Sequence, residues 1–288
     1  MVLSGRKQKG RRSPALELKC RVATGEEGIV RKLILVSLLC LALLVTCLGC
    51  GKETTTSSGA VFTVNGETGL AAAVALTDNH IQSLVNTMQV LAMTEEVKAG
   101  SWEGMQSLLT RFSQDQVPAA VWFALPDGSY YTVEVGKASG NLSDRSYFPR
   151  VMSGATAIGD LVVSKSTGKM SVIATVPVKN GGQVIGALGV SAYLDDFSKI
   201  LVQELQLPDN MVFYAVNDQG YIALHSDTQW LMQKASDLGS STFSQAVDEM
   251  LSKKEGNATY QFGGMAETVV YKTSPLTNWC FALGVRTK

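Results

Sequence analysis

Two short apolar strings recur in the same order within this chain, and that recurrence limits its architecture more than any other feature. Val121-Trp122-Phe123-Ala124-Leu125, trailed by Asp127, Gly128 and Tyr130, is echoed by Val212-Phe213-Tyr214-Ala215-Val216, trailed by Asp218, Gly220 and Tyr221. Ala187-Leu188-Gly189-Val190 returns as Ala282-Leu283-Gly284-Val285. The offsets are 91 and 95 residues. Either match alone is commonplace, but two in one order at nearly one spacing point to a duplicated sheet unit.

The segment before the first repeat reads differently. From Leu70 the apolar positions Val74, Ile81, Leu84, Val85, Met88, Leu91 and Ala92 keep helical spacing, and no proline intervenes before Pro118. Ala99-Gly100-Ser101 is expected to interrupt the helix, with Ser101 capping a second one that buries Met105, Leu108, Leu109 and Phe112. Met88, Met93 and Met105 read as core filler. After Pro118 come short runs rich in β-branched and aromatic residues, divided by turn chemistry. AVWFAL and SYYTVEV flank Pro126-Asp127-Gly128 as a hairpin, a loop follows, and DRSYF (144–148) reads as a short helix. Strands are expected around LVVS, MSVIATVPV and QVIGALGVSAY, then a longer helix from Leu194 with Phe197, Ile200, Leu201 and Leu205 on one side.

The N-terminus is of another kind. Residues 33–49 carry no charge and follow Arg31 and Lys32, the basic-then-apolar order of a secretory signal or membrane anchor. Their 17 residues are at the short end for a bilayer span, where ~20 is typical. The run closes on Leu48-Gly49-Cys50, which resembles the lipobox of bacterial lipoproteins with Cys50 as the acylated residue, although Cys47 stands where such signals usually carry Leu. Lipoprotein and uncleaved anchor both stay open, and both place the remainder outside the cytoplasm. Residues 1–32 are long for a signal's basic region, and a start near Val30 is the expectation. Residues 51–65 read as a polar tether. The first 50 residues hold nine of the 25 basic and three of the 25 acidic residues, so the rest carries a net charge of −6, which argues against a nucleic-acid surface. Beyond Cys50 the only cysteine is Cys280, so no disulfide framework supports the rest, and Cys280 itself reads as a small buried hydrophobe.

From Gly66 to Val285 the pattern resembles the double Cache family of extracytoplasmic sensor domains. The likeness is carried by VWFALPDG (121–128), DRSYF (144–148), SKSTGK (164–169), PVKNGGQVIGALGVS (177–191), NDQGYIALHSD (217–227), and by ATYQF and ETVVYK ahead of NWCFALGV. The resemblance implies an α+β fold, a long N-terminal helix followed by two PAS-like antiparallel-sheet modules at about 115–195 and 206–285. It also implies a ligand site in the first module, between the sheet and DRSYF. An Arg on a rigid turn can grip a carboxylate with two parallel bonds, and flanking aromatics exclude water. Arg145 is therefore the expected clamp, Tyr147 and Phe148 the aromatic wall, Trp122 and Tyr130 neighbours from the hairpin, and Ser164 or Lys165 a further polar contact.

In the family's amino-acid-binding subclass, Trp and Tyr follow the Arg by two and three positions, a Tyr precedes it by five, and an Asp on the last strand holds the amine. Here those places hold Tyr147, Phe148, Gly140 and Ser191. With only the Arg kept, a small organic carboxylate is expected rather than an α-amino acid. The plainer reading of the same residues is a local Asp144–Arg145 ion pair with structural aromatics.

No enzymatic activity, cofactor or metal is expected. His80 and His225, the only histidines, fit no metal spacing or Ser-His-Asp order, and the glycines at 154 and 159 lead into Asp160 instead of Gly-Lys. His225 reads as structural or as part of a second pocket. No transmitter follows the last strand, so the expectation is a ligand-binding lipoprotein that signals through a separate membrane partner. A homodimer through the long helix is left open, and the alternative function is an envelope scaffold whose pocket is vestigial.

Overall fold

A computed structural model describes residues 65–288. The basic region, the apolar segment ending at Cys50 and the tether up to residue 64 lie outside the described residues. Among those described, no helix is long and apolar enough to cross a membrane.

Helix α1 (Gly66–Leu91) opens on Asn65, whose side chain accepts the Thr68 N–H at 2.7 Å, and it buries Leu70, Val74, Ile81, Leu84, Val85 and Met88 on one face. The chain breaks earlier than the Ala99-Gly100-Ser101 signal suggests. Thr94 caps a four-residue helix α2 (Glu95–Lys98), and α3 (Trp102–Gln114) follows Gly100. Met93 falls in the first break and is 68% exposed, so it is not core filler. Ser101 sits at the α3 N-cap position but donates its hydroxyl to Glu103 instead of accepting a backbone N–H.

The first sheet holds β1 (Ala119–Ala124), β2 (Ser129–Thr132), β3 (Gly136–Asn141), β4 (Ala157–Val163), β5 (Met170–Asn180) and β6 (Gln183–Tyr193). Its order is β3-β2-β1-β6-β5-β4, antiparallel throughout. β3, GKASGN, replaces the loop expected there, and it is a strand through pairing with β2 rather than through its own propensity. The short helix α4 (Phe148–Met152) lies between β3 and β4. Helix α5 (Leu194–Leu205) leads into β7 (Met211–Val216) and β8 (Ile222–His225). Then come α6 (Ser241–Lys253), β9 (Glu255–Phe262), β10 (Met265–Thr273) and β11 (Cys280–Thr287), which with β7 and β8 make an antiparallel sheet ordered β8-β7-β11-β10-β9. In both modules the last strand returns to pair with the first.

The duplication is therefore present in the topology, but the sequence echo is out of step with it. In each module one turn is closed by matching bonds, Leu125 N–H to Ser129 O with Gly128 N–H to Leu125 O, and Asn217 N–H to Tyr221 O with Gly220 N–H to Asn217 O. These equate Leu125 with Asn217, a separation of 92 rather than 91. Trp122 then corresponds to Tyr214, not to Phe213. A one-residue slip on a strand turns every side chain to the other face, so the correction decides which residues face a pocket.

Along β1 the side chains alternate. Val121 and Phe123 join the large core beneath α1, while Trp122 and Ala124 join a smaller apolar cluster with Tyr130, Tyr147, Phe148, Val151 and Ile173. Gly189 pairs with Trp122 across the sheet, and a Cβ there would come within 2.1 Å of the indole. The modules meet where β4 bulges at Gly159, whose carbonyl accepts Trp279 Nε1–H at 3.1 Å. Gly159 holds φ +87°, and an added Cβ would press on the Thr277 carbonyl at 3.1 Å. The turn after β10 is tied to α1 through the Ser274 hydroxyl and the Asp78 carboxylate at 2.8 Å. Half-burial pushes the Asp78 carboxyl up from its usual range, and the Ser274 bond opposes that.

Candidate functional site

The residues singled out around DRSYF converge on the second face of the first sheet, but not on a helix. Asp144 to Ser146 form a turn, with the Arg145 N–H bonded to Leu142 O at 3.0 Å and the Phe148 N–H to Arg145 O at 3.0 Å. Pro149 is tolerated only in a first turn, so α4 starts at Phe148 and leaves Arg145 and Tyr147 on the approach to it.

A cavity of about 10 Å³, close to the room one water needs, lies between this turn and the strands. Arg145, Tyr147, Trp122, Tyr130, Ser164, Lys165 and Ser191 all line it, together with Leu142, Val162, Ser166 and Ile173. Phe148 does not. It packs into the apolar cluster that also holds Trp122, Tyr130 and Tyr147. Ile173 stands opposite Ser191 in the β5–β6 register, a neighbour that the sequence signals only through correct strand pairing.

The polar groups divide into satisfied and unsatisfied. Trp122 Nε1–H donates to Ser191 Oγ at 3.0 Å, so the last-strand position is already engaged by the indole. Ser164 Oγ stands 3.3 Å from Ser166 Oγ. Lys165 Nζ donates to both Asp144 carboxylate oxygens, at 2.6 and 2.8 Å, and to the Asn141 carbonyl at 2.6 Å. The Asp144 carboxyl is held below its usual range chiefly by that lysine. Arg145 Nη2 donates to the Val163 carbonyl at 2.6 Å, while its Nε is buried with no partner. Tyr130 is buried and its hydroxyl has no partner either. Burial pushes the Tyr130 phenol up, and Ser166 lies near enough to ease the rise without making a well-formed bond. The Tyr147 phenol is pushed up more strongly by burial, against the pull of the Arg145 charge. The Asp144–Arg145 ion pair of the plainer reading does not form. Neighbouring side chains on this turn point apart, one to Lys165 and one to Val163.

The equivalent face of the second module is closed. Tyr214, in the place of Trp122, takes a bond from Tyr260 Oη at 2.8 Å and lies 3.6 Å from Met250 Sδ. Phe243 from α6 packs on Tyr214, Tyr260 and Phe262, with ring centroids 5.8, 5.0 and 4.6 Å away. Glu267, 1% exposed, is paired with Arg286 Nε at 2.7 Å. His225 stacks on Tyr214 and accepts the Asp227 N–H through Nδ1 at 2.8 Å. Desolvation, helped by the Arg286 charge, pushes the imidazole down to about 4. His80 bonds Glu204 across α1 and α5 at 2.8 Å. Among the described residues no group of His, Cys, Asp and Glu is placed to hold a metal ion.

A family profile described as Cache domain matches residues 63–288. No curated protein is similar to the chain in sequence. Among solved structures, the extracellular domain of the putative histidine kinase rpHK1S-Z16 superposes with a TM-score of 0.63 at 12% identity, covering 75% of this chain and 91% of that one. The ligand-binding domain of the Pseudomonas fluorescens chemoreceptor CtaA in complex with L-serine gives 0.58 at 15% identity, covering 77% and 93%. The periplasmic sensory domain of the Campylobacter jejuni chemoreceptor Tlp1 gives 0.57 at 13% identity, covering 76% and 92%. At these identities the likeness establishes the fold alone.

Proposed function

The chain belongs to the Cache domain family over residues 63–288, and from that premise we propose that it is an extracytoplasmic sensor module that captures a small organic carboxylate with Arg145. One observation carries this reading. Arg145 Nε and Tyr130 Oη, both buried and unpartnered, line the same cavity. An unpaired buried polar group costs about 1–3 kcal/mol, and a carboxylate that accepts from both groups recovers that loss while neutralising the guanidinium. Trp122 and Tyr147 keep water from competing. Entry requires the 141–145 turn to lift from its ties to Val163 and Lys165, because the cavity has room for little more than a water.

An α-amino acid, such as the L-serine in the CtaA complex, needs an anionic partner for its ammonium. Ser191 and Gly140 supply none, and the Asp144 carboxylate is taken by Lys165. The module is held at the membrane through residues 33–50, lipidated at Cys50 in one form of the reading, and reports to a separate membrane protein.

A thermal-shift screen of the full-length protein against organic acids and amino acids tests this, since a ligand that binds only the folded state raises its Tm. A short carboxylic acid raises Tm for the wild type and not for Arg145→Ala. Alanine binding more tightly than propionate contradicts it. The second reading, a scaffold with a vestigial pocket, draws on the small cavity volume, and it predicts no shift with any acid and an unchanged phenotype for Arg145→Ala.

A further inference from the structure

We infer that Asp144 sets the charge of the ligand: by cancelling Lys165 it leaves Arg145 as the single uncompensated cation of the site, so that a monocarboxylate fits and a dicarboxylate does not. This rests on the carboxylate reading above and deepens it. Two cations line the cavity, Arg145 and Lys165. Lys165 is fully engaged, with its ammonium shared by both Asp144 oxygens and the Asn141 carbonyl. Arg145 forms no ion pair and gives one bond to a neutral carbonyl. The nearby Arg150 and Asp160 pair with each other, with Ser146 Oγ adding a bond to Asp160 at 3.1 Å, so neither alters the count.

A monoanion therefore brings the site to neutrality. A dianion leaves one carboxylate desolvated and unpaired among Leu142, Tyr147, Val162 and Ile173, and an uncompensated buried charge is strongly unfavourable. Those same walls suit a short hydrocarbon tail. Asp144 acts from the rim, where its side chain is 67% exposed, so it tunes the charge without touching the ligand and can be changed without disturbing the core.

Isothermal titration with propionate and with succinate tests the inference on the full-length wild type, Asp144→Asn, Lys165→Gln and Arg145→Ala. Asparagine keeps the size and the acceptor oxygen but removes the charge. The wild type binds propionate at least tenfold more tightly than succinate, and Asp144→Asn shifts that ratio toward succinate by about tenfold. Lys165→Gln, which leaves Asp144 uncompensated at the mouth, weakens both acids. A propionate-to-succinate ratio unchanged in Asp144→Asn overturns the role of Asp144, while loss of binding in Arg145→Ala leaves the carboxylate reading standing. A wild type that binds neither acid, or an Arg145→Ala variant that binds as the wild type does, removes the carboxylate reading and this inference with it.

Discussion

The two modules share one strand topology and differ in what covers the same face of the sheet. In the second, the 13-residue helix α6 lays Phe243 over Tyr214 and Tyr260 and Met250 against Tyr214, and the two phenol hydroxyls beneath are bonded to each other. In the first, the corresponding cover is a turn and the five-residue α4, too short to fill the space. Trp122 reaches Ser191, but Tyr130 Oη and Arg145 Nε are left without partners. Among the described residues the one other buried side-chain atom in that state is Thr273 Oγ1, at the end of β10. A core whose polar atoms are bonded to one another supplies stability, whereas unpartnered polar atoms cost it and leave bonds that a bound molecule could make. On this contrast rests the proposal that the first module is the one that takes a ligand.

Four substitutions press on that contrast. Removing the plug, Phe243→Ala, should cost about 3–5 kcal/mol in urea unfolding, as large aromatic truncations in packed cores do. Next comes His225. Its folded-state pKa lies below the ordinary value of 6.5, so the unfolded chain binds more protons between about pH 6.5 and 4. The stability gained by keeping this imidazole neutral is complete above pH 6.5 and is lost as pH falls toward 4, up to about 3 kcal/mol. His225→Phe should lack that slope. Carboxylates such as Asp78 titrate alike in both proteins and cancel in the difference between the two curves. Gly189→Ala drives a methyl into the Trp122 ring and should cost about 1–3 kcal/mol, with ligand binding impaired alongside. Tyr130→Phe is the smallest and has the opposite sign. Deleting an unpartnered hydroxyl should leave stability unchanged or raise it by up to about 1 kcal/mol while weakening carboxylate binding. A clear loss of stability would place that hydroxyl among the structural groups and dissolve the contrast.

Much of this was legible in the chain, for definite reasons. The 3.6-residue spacing from Leu70 to Met88 specified α1 because one face of it is buried and the other is not. The hairpin around Asp127-Gly128 carried its own turn chemistry. The repeat was visible but its register was not, since β1 and β7 are buried on both faces beyond their first residue and their apolar strings hold no alternation to fix a side. β3 was invisible because GKASGN has no strand propensity and depends on β2 for its conformation. At the site, the convergence of Arg145 with Trp122, Tyr130 and Ser191 followed from family resemblance, not from spacing. Asp144 could not be matched to Lys165, 21 residues away, until the 164–169 turn brought the ammonium back over the mouth. The same distance problem hid His80 from Glu204, 124 residues along the chain.

We propose that the unpartnered Nε of Arg145 in the first module awaits a ligand's carboxylate. Calorimetric titration of propionate into the full-length wild type and into Arg145→Ala measures it most directly. The account predicts saturable binding to the wild type and at least a hundredfold weaker binding to a variant that unfolds at the same or a higher temperature. Equal binding by the two proteins, or a marked loss of stability in Arg145→Ala without ligand, would contradict it.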